Sequence, residues 1–139
     1  MREVTGQMIV DAARTYLGVP FRHDGRNRDG IDCVGLVVCS LRDLGIDVTD
    51  QLGLGRFDSF ETLCQTFELH AERVDGGMLL GDALVFRGRL MDNHVALYAG
   101  NGEMVHAYNG SSVGRVVVQP LDESWMARLA RVYRLRGAI

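Results

Sequence analysis

The 139-residue chain lacks several features that would assign a protein to a class at once. No apolar run approaches the ~18 residues of a membrane span, so membrane insertion is not expected. There is no excess of basic charge. The net charge of −3 leaves no global electrostatic case for binding nucleic acid or an anionic membrane surface. Cysteine is scarce, with only Cys33, Cys39 and Cys64. An odd count without a signal peptide argues against a disulfide framework. No CxxC or HxxxH pair occurs, so a structural zinc site is not expected, and no metal or cofactor is called for. Internal repeats and low-complexity segments are absent. The opening stretch, MREVTGQMIVDAARTYLG, lacks the basic start and unbroken apolar core of a secretory signal. It reads as an amphipathic helix, which predicts synthesis in the cytoplasm without standard export.

What is present is the composition of an ordinary globular protein, 47% hydrophobic and 24% charged. The length suits one domain, residues 1–139, with a real core. From Thr5 to Leu17, Met8, Ile9, Ala12, Ala13, Tyr16 and Leu17 recur at the spacing of one helical face. Thr5 is the expected N-cap, and Gly18 and Pro20 end the helix. FRHDGRNRDG reads as a loop. Cys33 to Leu44 has the apolar density of a buried helix closed by Gly45. Residues 46 to 58 look irregular, and Ser59 to Glu72 reads as a surface helix.

The pattern then changes to short β-type runs at 83–86, 94–99, 104–108 and 115–119, parted by Gly/Asn turns. A short helix over Glu123 to Leu129 and a last strand, Arg131 to Leu135, complete the chain. Helices first and strands later predict an α+β domain, its helices packed on an antiparallel sheet.

One stretch, GIDCVGLVVCSLRDLG, puts a thiol where a loop becomes a buried helix. At a helix start, free N–H groups and the dipole favour a thiolate, the form a nucleophile needs. A small buried core residue would serve the same position. A nucleophilic thiol needs a base, and two of the four histidines lie on predicted strands, in HVALYAGNGEMVHA. Their relation turns on parity. With a two-residue Asn101-Gly102 turn, Gly100 faces Glu103, and His94 and His106 point to opposite sides. With a three-residue turn, Ala99 faces Glu103 and the two histidines share a face as diagonal neighbours. Gly102 suits the left-handed position of that longer turn. Either histidine alone would be unremarkable as a hydrogen-bonded core group. Cys39 and Cys64 lie on apolar faces and read as core, His70 reads as solvated, and His23 is open to either reading.

Taken together, GIDCVGLV, GDALVF and NHVALYAGNGEMVHA resemble the NlpC-type cysteine peptidases of bacterial cell walls, a papain-like family. The resemblance runs from Tyr16 to about Gln119, with every block in the family's order. It implies a papain-like NlpC-type fold. In it Cys33, at its helix N-terminus, is the nucleophile, His94 the general base and His106 the residue that orients His94. It also implies that the substrate is the peptide stem of peptidoglycan, cut between a γ-linked D-glutamate and a diamino acid.

Two departures stand out. Phe21 occupies the place of a tyrosine whose hydroxyl helps at the active site in many members, so His23 becomes a candidate donor. Val34 follows the cysteine where many members have serine, so amine recognition by Asp32 is expected to differ. FRHDGRNRDGIDC and the closing DESWMARLARVYRLR are similar to the subgroup encoded in tail modules of phages and gene transfer agents. That similarity implies tail or tail-hub partners and action at the cell wall as part of a particle. The alternatives are a structural tail-tip protein with little turnover and an acyltransferase or amidase on the same fold.

Overall fold

In the computed structural model, residues 3–46, 48, 60–88, 93–110 and 112–135 are described. Helix α1 (Gly6–Arg14) starts as its sequence requires. Thr5, in extended conformation, accepts from the Met8 N–H and caps the first turn. Ile9, Val10, Ala12 and Ala13 form its buried face. The segment after Pro20, expected as a loop, folds as a tight hairpin, β1 (Arg26–Asn27) and β2 (Gly30–Ile31). The Asn27 carboxamide oxygen accepts from the N–H groups of Asp29 and Gly30 and closes its turn. Two-residue strands carry no periodicity, which is why the pattern misses them. Helix α2 (Cys33–Asp43) is buried from Val34 to Leu41. Gly45, at φ 87°, takes the left-handed position beyond its end.

Helix α3 (Phe60–Glu68) is shorter than its apolar pattern predicts. Residues expected to continue it form strand β3 (Ala71–Val74), because they pair along their whole length with the last strand of the chain. Most of the irregular tract expected over 46–58, and the start of that helix at Ser59, lie outside the described residues. The remaining strands are β4 (Ala83–Phe86), β5 (His94–Gly100), β6 (Glu103–Tyr108), β7 (Arg115–Pro120) and β8 (Leu129–Leu135), with helix α4 (Glu123–Arg128) before β8. They form one antiparallel sheet in the order β3-β8-β4-β5-β6-β7. Central strand β4 is buried at every position, as a strand covered on both faces should be.

Alternation sorts the strand residues into two cores. Val85, Val95, Leu97, Val105 and Ala107 face helices α1, α2 and α3. Leu84, Phe86, Ala96, Met104 and Val132 form a second cluster, covered by Trp125 and Leu129. Asp82 anchors the sheet from within. It is 2% exposed, accepts from the Leu79 N–H and is gripped by Arg134 through Nε and Nη2 at 3.0 and 2.9 Å. Such two-pronged, charge-assisted pairing compensates for burying the carboxylate. No helix among the described residues is long and apolar enough to cross a membrane.

Candidate active site

Two separate constructions meet at the start of β5. The first holds Cys33. Asp32 is the N-cap of α2, and one of its oxygens accepts from the Gly35 N–H at 2.7 Å and from Arg26 Nη1 at 2.8 Å. Its other oxygen accepts from the Asp24 N–H at 2.9 Å. One carboxylate thus ties the β1–β2 hairpin to the first turn of α2. Gly35 permits this approach, because a Cβ there would collide with the Gly25 carbonyl oxygen and stand 2.9 Å from Arg26 Nη1.

Cys33 is the first residue of the helix and is half-buried. Backbone N–H groups of Val95 and Val34 hydrogen-bond to its sulfur. The sequence predicts a position that favours the thiolate. Burial, and secondarily the Asp32 carboxylate, instead push the thiol up to about 12, outweighing those N–H groups and the Arg26 charge. The thiol is therefore protonated at neutral pH.

The second construction holds the histidines. The β5–β6 turn has two residues, with Asn101 at φ 54° and Gly102 at φ 73° and Gly100 opposite Glu103. Of the two alternatives drawn from parity, this one predicts histidines on opposite faces. They nevertheless share a face. The register shifts between Tyr98 and Gly100, so Ala99 is an extra residue and Leu97 pairs with Val105. The bulge restores the parity that the turn would have reversed.

His94 Nε2 lies 2.7 Å from His106 Nδ1, and His106 Nε2 lies 2.6 Å from Gln119 Oε1. Aromatic rings enclose this chain. Trp125 is 5.5 Å from each imidazole, centroid to centroid, and Tyr108 is 5.4 Å from His94 and 5.2 Å from His106. Both histidines are buried. Burial drives His94 well below its ordinary range, helped by His106 and Arg128. Burial also lowers His106 to about 4 against the opposing hydrogen bond to Gln119. Both rings are neutral at pH 7.

The thiol arrives with the helical layer and the imidazoles with the Trp125 face, and the backbone of β5 links them. The N–H that bonds the sulfur belongs to the residue after His94. Among the described residues no hydrogen bond joins Cys33 to His94 directly. Such contacts commonly close only around substrate. His94 Nε2 is occupied by His106, so Nδ1 is the nitrogen left to exchange protons.

Other expected residues fall as follows. Phe21 is part of the core beside α2, paired with Ile31, and the exposed His23 stands edge-on to its ring at 5.2 Å. Asp32 spends its oxygens on the hairpin and the helix start. Cys39 and Cys64 are buried, as expected. His70, expected in solvent, is half-buried and lines an apolar recess with Val37, Leu41, Phe67 and Leu135. Gln119, Tyr108 and Trp125 escaped sequence reasoning. Parity along β6 and β7 would have found the first two, since each shares a face with His106. Trp125 belongs to the closing segment that carries the subgroup similarity, but nothing local places it beside the histidines. Among the described residues no cluster of three or more His, Cys, Asp or Glu could hold a metal ion.

Comparison with known proteins adds an independent line. The NlpC/P60 family model matches residues 18–134. The murein DD-endopeptidase MepS/murein LD-carboxypeptidase of Escherichia coli K12 is 27% identical over 91% of this chain and 61% of its own length. Peptidoglycan endopeptidase RipB of Mycobacterium tuberculosis is 28% identical over 86% of this chain and 49% of its own. The chain thus spans about half to three-fifths of these relatives. The crystal structure of the NlpC/p60 domain of the peptidoglycan hydrolase SagA superposes with a TM-score of 0.68 at 25% identity, covering 95% of this chain and all of that one.

Proposed function

This chain belongs to the NlpC/P60 family, and from that premise we propose that it is a cysteine peptidase hydrolysing the stem peptides of peptidoglycan. The carrying observation is the convergence at β5. Cys33 opens a helix with its sulfur on the Val95 N–H, and the neighbouring residue is an imidazole already bonded to a second imidazole. The names of MepS and RipB, both murein or peptidoglycan endopeptidases, support the substrate class.

The resting pair is neutral, so the thiol is deprotonated as it attacks. His94 Nδ1 takes the Sγ proton while sulfur bonds to the carbonyl carbon. The backbone N–H of Cys33, at the helix start, is the oxyanion donor. The imidazolium then protonates the leaving amine as the C–N bond breaks, leaving a thioester. Water attacks that thioester, His94 accepts its proton, and the proton returns to sulfur as the carboxylic acid product departs. His106 holds the orientation of His94 throughout.

The bond we propose, on the family resemblance alone, is that between γ-D-glutamate and the diamino acid. Carriage to the wall by a phage-like tail rests on the sequence segments at 21–33 and 122–136 alone. Co-purification with tail proteins tests it.

Purified peptidoglycan should be digested with wild type and with Cys33→Ala, and the products identified by mass spectrometry. Stem fragments are expected from wild type only, and their masses name the bond. No fragments from a well-folded wild type would sink the hydrolase and favour a structural tail component.

A further inference from the structure

Gln119, on β7, belongs to none of the motifs that carry the family resemblance, yet it ends the hydrogen-bond chain behind His94. It pairs across the ladder with Met104, so its side chain shares the face of His106, two residues along β6. The 2.6 Å contact runs from its carboxamide oxygen to His106 Nε2. A carboxamide oxygen only accepts, so the proton of that bond sits on His106 Nε2. A neutral imidazole has one N–H, which leaves His106 Nδ1 as an acceptor. The 2.7 Å bond to His94 must then be donated by His94 Nε2–H. That spends the single proton of neutral His94 and leaves a lone pair on Nδ1.

We propose that Gln119 is a positioning residue that fixes the tautomers of both histidines, so that His94 always presents an unprotonated Nδ1 to the thiol. Without an acceptor there, the opposite pattern becomes available: His106 Nδ1–H donates to His94 Nε2, and the proton of His94 moves to Nδ1. In that state His94 cannot take a proton from Cys33 at that nitrogen. The enclosing rings of Trp125 and Tyr108 limit exchange with water and make the choice depend on the side chain at 119.

The inference rests on the proposed role of His94, but its test does not need activity. Uniformly 15N-labelled Cys33→Ala protein at pH 7, read by long-range imidazole 1H–15N correlation, reports each tautomer directly. Both histidines are expected as Nε2–H. In Gln119→Leu, which keeps the packing volume and removes the acceptor, a population of Nδ1–H should appear on both rings. With Cys33 intact, Gln119→Leu should lower kcat roughly tenfold to a hundredfold with little change in KM. Gln119→Glu keeps an acceptor and should retain the Nε2–H pattern while raising the pH at which His106 protonates. An Nδ1–H tautomer on His106 in the parent, or unchanged tautomers in Gln119→Leu, would overturn the assignment. Should Gln119→Leu fail to fold, loss of the Nε2–H pattern in Gln119→Glu does so instead. If wild type cuts no peptidoglycan while the tautomers behave as stated, the function fails and the assignment stands.

Discussion

The cysteine side and the histidine side of the site are built by opposite means. Around Cys33, one carboxylate locks backbone to backbone. A cap, a two-residue hairpin and a glycine fix where the helix begins, and the sulfur is held by main-chain N–H groups. Around His94, side chain is locked to side chain. Three polar groups run in series inside a wall of rings. Burial acts on both, and in opposite directions of pKa. It lifts the thiol to about 12 and lowers both imidazoles, so each side is held neutral until they meet. A preformed thiolate–imidazolium pair would be the alternative design, and the surroundings disfavour it.

If the two sides act as one machine, breaking either should cost nearly the whole rate. His94→Ala is expected to lower kcat on stem peptides by roughly 10²–10⁴ while the fold survives. Adding it to Cys33→Ala should cost nothing further, since residues acting as a unit are non-additive. Measured single-turnover rates that fall independently in the double variant would split the two sides.

The cysteine side was legible in outline. Asp-Cys before an apolar run announces a capped helix, and Cys33 and Asp32 fall where the sequence puts them. What the sequence could not convey is the balance of forces on the sulfur. The charge of Asp32, the reach of Arg26 and the depth of burial all depend on tertiary packing. The histidine side shows the reverse. Parity makes the β5–β6 connection decisive, but loop length alone gives the wrong face, and the bulge at Ala99 decides the outcome. Asn101-Gly102 favours the two-residue turn, and the shared core face of β5 and β6 demands the other register. An unpaired alanine satisfies both. Trp125 closes space around the histidines from a separate helix, and only the folded chain shows that it does so.

Asp32 has a structural role beside the one the resemblance implies. By resemblance it recognises the substrate amine, whereas its contacts here are a helix cap and a hairpin tie. Asp32→Ala should destabilise the fold by about 2–4 kcal/mol, combining a lost cap with the loss of the 2.8 Å ion pair to the largely buried Arg26. Asp32→Asn should recover about 1 kcal/mol by restoring the cap. Urea unfolding measures both. If Asp32→Asn were as stable as wild type but raised KM sharply, amine recognition would be its main role.

The smallest effect tests the electrostatics of the histidine side alone. His94 and His106 are harder to protonate folded than unfolded, where an ordinary histidine titrates near 6.5. Below that pH the unfolded chain binds protons that the folded chain refuses, so stability must fall as pH falls. The loss begins near pH 6.5 and continues through about 4 for His106. Each histidine contributes a slope of up to about 1.4 kcal/mol per pH unit. His106→Asn removes one titrating ring, so its stability should decline less steeply than wild type from pH 6.5 to 4.5, whatever its starting value. Because His106 also helps to lower His94, its removal relaxes that shift too, and the difference in slope reports the histidine pair. Equal slopes would mean that His106 takes up its proton alike in the folded and unfolded states, so that burial does not hold its ring neutral below pH 6.5.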